Sequence, residues 1–204
     1  MVVCAAGSMP ADLHKLWRTR DPKGFHVEYG YSCMGYEIPG SIGIRLAAPD
    51  REVFAMVGDA GYLMLPGELV TAVAERVKII VVLVQNHGYA SIGSLSESAG
   101  SARFGTQFRY RTDDGGDGGI LPVDLAANAA SLGAKVLTPR TVGELADALK
   151  QAREADSTVV IHVETDPAHY VTIGGAWWDV PVAEVSTSEP VQAARATYER
   201  GKQA

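Results

Sequence analysis

The chain is predicted to be an α/β protein built on a three-layer, doubly wound, mostly parallel sheet. Three observations lead there. Short apolar runs alternate with amphipathic segments along most of the 204 residues, the order that repeated βα units impose. Two of these runs, residues 52–57 and 78–85, stand about one helix-length apart, which makes a βαβ unit with parallel strands. Each run is closed by an oxygen-bearing side chain, Asp59 after the first and Asn86 after the second. Parallel strands bring their carboxyl ends to one edge, where open α/β sheets bind ligands. A carboxylate and an amide oxygen together suit Mg²⁺ or Ca²⁺ better than zinc.

The elements follow in order. Residues 2–6 are a short apolar run ended by Gly7-Ser8, which predicts a buried strand. Residues 10–17 open on Pro10 and carry Leu13, Leu16 and Trp17 at helical spacing. Asp21-Pro22-Lys23-Gly24 is turn chemistry, and residues 25–29 predict a brief strand. Residues 35–48 predict a helix, with Ile38, Ile42, Leu46 and Ala47 at helical intervals. Pro39 falls in its first turn, where a missing N–H is harmless. Residues 66–76 predict the helix between the two central strands. Residues 86–119 show no clear periodicity, which makes a long loop; the part at 101–120, with its Gly115–Gly119 run, is expected to be flexible. Helices are predicted at 121–132 and 142–155, strands at 135–137 and 158–164, and an exposed helix at 190–200.

Composition narrows the function. Hydrophobic residues make up 47% and charged residues 21%, with a net charge of −6. No Lys/Arg cluster occurs, so a nucleic-acid surface is not expected. No run approaches the ~18 apolar residues of a membrane span, and the first residues lack the basic start of a signal peptide. Cys4 and Cys33 have no metal-motif or secreted spacing and are expected to be reduced core residues of a cytoplasmic protein. A strand that begins at once suggests a piece of a longer chain. No GxxxxGK[ST] loop is present, and Gly35, Gly40 and Gly43 do not fit GxGxxG, so ATPase and NAD readings lose their support.

The motif Gly58-Asp59-Ala60, followed about two dozen residues later by Asn86, resembles the Gly-Asp-Gly…Asn motif of thiamine-diphosphate enzymes. Ala60 replaces the third glycine. The resemblance implies the thiamine-diphosphate-binding fold, with 1–204 as a single pyrophosphate-binding domain from the C-terminal part of a longer enzyme. It implies that thiamine diphosphate and Mg²⁺ are the cofactors. Asp59 and Asn86 would hold the ion through side chains and Gly88 through its carbonyl, while Gly58, Ala60 and Gly61 would lie against the diphosphate. A helix starting just after Asp59 would turn N–H groups to the phosphates.

Two further stretches carry the resemblance. Met34 stands 25 residues before Asp59 in Ser32-Cys33-Met34-Gly35, similar to the acetohydroxyacid-synthase-like branch. There a bulky apolar residue wedges between the cofactor rings and bends the molecule, so Met34 would set the reactive conformation and the Ser32 carbonyl would bind the 4′-amino group. The alternative for Met34 is a plain gap-filler. Asp12-Leu13-His14-Lys15-Leu16-Trp17 is similar to that branch's Gly-Gln-His-Gln-Met-Trp stretch, and would put His14 on the diphosphate; an ordinary surface or core histidine is the alternative.

Within the branch, the chain resembles the ring-opening hydrolases of inositol catabolism. The carrying residues are 12–17, 28–37, Asn86-His87-Gly88, Phe104-Gly105-Thr106, Arg109-Tyr110-Arg111 and Trp177-Trp178-Asp179-Val180-Pro181-Val182. The implied reaction is hydrolysis of a carbon–carbon bond in a cyclic trihydroxy-1,2-diketone, giving 5-deoxy-glucuronate. His87, Tyr89, Ser91 and Arg109 could line the substrate side, or serve solvent and structure. The family's catalytic glutamate belongs to an N-terminal pyrimidine-binding domain of a partner subunit, in a homodimer or homotetramer. Neither Glu28 nor Glu37 matches it, and Glu37 reads as a helix-start carboxylate. The isolated domain is therefore expected to be inactive alone. A carboligase of the same branch and a non-catalytic binding module stay open. A response-regulator-like domain would need an acidic pair near the first strand, and residues 2–6 offer none.

Overall fold

The computed structural model describes residues 1–28, 30–31, 33–114, 116–166 and 182–202. In chain order the elements are β1 (Val2–Cys4), α1 (Ser8–Leu16), β2 (Phe25–Val27), α2 (Glu37–Ala47), β3 (Phe54–Gly58), α3 (Asp59–Met64), α4 (Glu68–Ala74), β4 (Ile80–Gln85), α5 (Ala90–Ser98), β5 (Arg109–Arg111), β6 (Asp117–Ile120), α6 (Leu125–Ser131), β7 (Lys135–Leu137), α7 (Val142–Glu154), β8 (Val159–Glu164) and α8 (Glu189–Lys202). They fall into two compact units, Met1–Asn86 with Pro122–Pro167, and His87–Leu121 with Ala168–Ala204.

The first unit holds a six-stranded sheet in the order β2-β1-β3-β4-β8-β7. Every pairing in it is parallel. Strand alternation builds the three layers. Ala55 and Val57 of β3, Val81 and Leu83 of β4, and Val160 of β8 face one core with Ile38 and Ile42 of α2, Tyr62 of α3, Leu69 of α4 and Leu125 of α6. Ile80, Val82, Val159 and Ile161 face the other, against Ala148 and Ala152 of α7. Period-two strands buried on both faces explain why these runs are continuously apolar. The chain leaves β1 toward β2 on one side and β3 toward β4 on the other. The point where strand order reverses thus lies between the tips of β1 and β3, the place where this architecture opens a ligand crevice.

Several expectations need correction. The helix expected over 35–48 starts only at Glu37, because Gly35 has φ +89° and cannot be helical. The helix expected at 66–76 is α4, shorter at both ends, and a separate helix, α3, precedes it. α3 starts directly at Asp59, and the chain breaks at Leu65–Gly67, where Pro66 has no N–H to continue the ladder. The stretch 86–119 is not without regular structure. In the second unit it holds α5 and the antiparallel β5–β6 hairpin. Part of the glycine run expected as a tip, Asp117–Ile120, is β6 itself. Cys4 is buried but Cys33 is exposed, on the turn before Met34, so only one of the two is a core residue. α8 buries no side chain, as its charge pattern implies.

Candidate cofactor site

β3 and β4 run side by side from Phe54↔Ile80 to Gly58↔Val84, so the residues that follow their tips are neighbours. Asp59, the first residue of α3, is 1% exposed. Its two oxygens are split. Oδ1 accepts the Ala60 N–H at 2.9 Å and Oδ2 accepts the Asn86 N–H at 3.1 Å. The carboxylate therefore clamps the two strand tips together across 27 residues of sequence. The Asn86 side chain is left with a buried Oδ1 that has no hydrogen-bond partner. An unmatched buried acceptor costs about 1–3 kcal/mol, and in a folded protein it calls for a ligand or a functional reason. A buried carboxylate and an orphaned amide oxygen are both hard donors and suit a small divalent cation that fills its other positions from its ligand and water.

The tip of β4 is held from its other side as well, by residues the sequence did not single out. Gln85 is buried, and its Oε1 accepts from His162 Nε2 at 2.6 Å. Its carbonyl accepts the Thr165 N–H at 2.9 Å and the Thr165 hydroxyl at 3.0 Å. The strand tip thus cannot move independently of β8. A register pattern in residues 158–165 was the only available signal, and it does not specify side-chain partners.

The turn before α2 carries Met34, which is half-buried. Its follower Gly35 is buried, and a Cβ there would meet Met64 Cβ at 3.1 Å. The Gly35 N–H donates to Glu37 Oε2 at 2.8 Å. Gly61, in the first turn of α3, is also buried, and a Cβ on it would lie 3.1 Å from Glu37 Oε1 and 3.3 Å from Val57 Cγ2. Glycine is required here by a close approach rather than by its backbone angle. Ala60 is buried beside it, so the small-for-small change leaves the first turn tightly packed. Burial pushes the Glu37 carboxyl above its ordinary range, against the opposing pull of the Gly35 N–H.

The remaining candidates fall on other elements. His14 lies exposed near the end of α1, edge-on to Phe25 at 5.1 Å. Ser32 and Trp177–Pro181 fall outside the described residues. In the second unit, Gly88 has φ +150° and pairs with Gln107. A Cβ at Gly88 would come within 2.3 Å of the Thr106 carbonyl, so no other residue fits there. Its neighbour His87 also takes a left-handed conformation, φ 62°. Tyr89 packs edge-on to Phe108 at 5.9 Å. Arg109 is engaged in the hairpin, donating to Gln107 Oε1 and the Gly118 carbonyl, both at 3.1 Å.

Comparison with known proteins gives the family. Residues 5–163 match the C-terminal TPP-binding domain of thiamine pyrophosphate enzymes. The chain belongs to this family. Two 3D-(3,5/4)-trihydroxycyclohexane-1,2-dione hydrolases from Bacillus cereus are 45% and 44% identical to it over 196 residues, 95% of this chain and 30% of each relative. The chain thus spans about a third of the length of these relatives. In fold it is similar to benzoylformate decarboxylase from Polynucleobacter necessarius, with a TM-score of 0.70 and 22% identity over 82% of this chain and 30% of that one.

Proposed function

We propose that this chain is the coenzyme-holding domain of a hydrolase that opens a cyclic 1,2-diketone, 3D-(3,5/4)-trihydroxycyclohexane-1,2-dione, to 5-deoxy-glucuronate in myo-inositol catabolism. Family membership supports thiamine diphosphate as the coenzyme, and the two hydrolase relatives support the substrate. The single observation that carries the metal is the orphaned Asn86 Oδ1 beside the buried Asp59 carboxylate. These two side chains fit Mg²⁺, with the Gly88 carbonyl as the further donor that the family resemblance supplies. The ion would offset diphosphate charge that a chain of net charge −6 would otherwise repel.

The residues divide the work. Asp59 and Asn86 bind the ion, and the Gln85–His162–Thr165 clamp keeps their strand tips in register. Gly58, Ala60 and Gly61 lie against the diphosphate, the role that the family resemblance gives them. Met34 supports the bent form of the coenzyme, with the Ser32 carbonyl and His14 as further contacts. When bound, the coenzyme supplies the carbon nucleophile and electron sink that cleavage beside a carbonyl needs. The proton relay at its pyrimidine ring requires a glutamate from a partner subunit's N-terminal domain, in a homodimer or homotetramer. No described helix is long and apolar enough to cross a membrane, and a cytoplasmic setting suits a small sugar-derived substrate. Assay of the whole enzyme with the cyclic dione and with pyruvate tests the reading. Ring opening with the dione and no carboligation of pyruvate is expected; the reverse would assign the chain to the carboligases.

A further inference from the structure

Glu37 is the most unusual group in the first unit. It is 1% exposed, and among the described residues no cation pairs with it. A carboxyl group without a counter-charge is expensive to bury and is retained where it has a task. Reading it as an ordinary helix-start carboxylate explains its place in the first turn of α2 but not its burial, since dipole effects act well on exposed side chains.

Its surroundings supply the task. Glu37 Oε2 accepts the N–H of Gly35, the residue directly after Met34, at 2.8 Å. Glu37 Oε1 reaches the other way, to within 3.1 Å of where a Cβ on Gly61 would stand, in the first turn of α3. It also lies close enough to Cys4, at the tip of β1, to help burial raise that thiol to about 11. Glu37 therefore lies close to the tip of β1, beside the point where strand order reverses between β1 and β3. It touches both the turn that carries Met34 and the turn that follows Asp59.

We propose that Glu37 is a positioning residue that fixes the Met34 turn in register with the first turn of α3. The ring-supporting and diphosphate-holding parts of the site are then spaced by one buried carboxyl. The inference rests on the reading that these two turns hold thiamine diphosphate. A ligand that spans both turns should sense the spacing; a ligand that uses only the Asp59 side should not.

Two probes separate these cases: thiamine diphosphate, which spans both, and inorganic pyrophosphate, which reaches one. Each is titrated with Mg²⁺ against the whole protein and its variants, with melting temperature as readout. In Glu37→Leu the Gly35 N–H loses its acceptor, and thiamine diphosphate should bind about tenfold or more weaker. Pyrophosphate should change less than about threefold. Glu37→Gln keeps an acceptor oxygen and should restore coenzyme binding to near the parent value. If Glu37→Leu does not fold, Glu37→Asp, which keeps the acid but shortens its reach, must show the same split. Equal losses for both probes, or none for either, would overturn the proposal while leaving the cofactor reading in place. A parent protein that binds neither probe would overturn both.

Discussion

The carboxyl edge of one sheet carries two very different pairs of strand tips. At β3 and β4 the polar groups are buried: the Asp59 carboxylate accepts the Ala60 and Asn86 N–H groups, the Gln85 side chain is tied to His162, and the Asn86 amide oxygen has no hydrogen-bond partner. At β7 and β8 they are numerous and open. A hollow of about 330 Å³ is lined by Thr138, Arg140, His162, Glu164, Thr165 and Asp166. Arg140 and Glu164 face each other there at 3.7 Å with side chains 77% and 48% exposed. A hollow with a solvated ion pair needs no ligand to be stable, whereas a buried acceptor without a partner leaves a cost of about 1–3 kcal/mol that a bound ligand could offset. The contrast teaches why the proposed cofactor site is assigned to the more buried pair of tips.

Substitutions can break this contrast, beginning with the strongest. Asp59→Ala removes the carboxylate proposed to hold the metal and leaves the Ala60 and Asn86 N–H groups without this acceptor. Coenzyme-dependent stabilisation should disappear, while the fold persists with a loss of about 1–3 kcal/mol, readable by urea unfolding. Asn86→Ala should divide the two properties cleanly. Its oxygen makes no bond in the folded protein, so ligand-free stability should change by less than about 1 kcal/mol, yet Mg²⁺-dependent binding should fall at least about tenfold. Calorimetric titration and melting of the same sample check both halves. A large loss of ligand-free stability would mean that the amide is structural.

Met34→Gly should act more gently on binding than on turnover. In the whole enzyme the catalytic rate should drop more than the apparent affinity for thiamine diphosphate, because the side chain shapes the bound coenzyme rather than anchoring it. Equal losses would favour the gap-filler alternative. Arg140→Ala, at the other pair of tips, should do least. An exposed ion pair contributes about 0–1 kcal/mol, and coenzyme affinity should stay at the parent value. A clear loss of affinity there would erase the distinction between the two ends of the edge.

The parts legible in the sequence are those that depend on periodicity and end-points. The runs ending at Asp59 and Asn86 predicted parallel neighbours with adjoining tips, and β3 and β4 are so arranged. Side-chain destiny was less legible. Glu37 reads as a helix-start carboxylate because first turns favour acids, and only tertiary packing buries it. Cys33 reads as core because free cysteines usually are, yet it sits on an exposed turn. α5 escaped notice because its sequence, ASIGSLSES, is rich in small polar residues and buries only Gly93. β6 was hidden because Asp-Gly-Gly-Ile has weak strand preference and is held by pairing with β5 instead. Pro66 marks the break between α3 and α4, the first expected from the family resemblance and the second from helical spacing.

The central claim is that the β3 and β4 tips share one divalent cation that secures a diphosphate coenzyme. Melting temperature against thiamine diphosphate, with Mg²⁺ and with the metal chelated, tests it directly. With Mg²⁺ the midpoint should rise and saturate, by roughly 5–10 °C at a hundred times the dissociation constant, and with chelator it should not move. An unchanged midpoint in both arms, or an equal rise in both, would contradict the account.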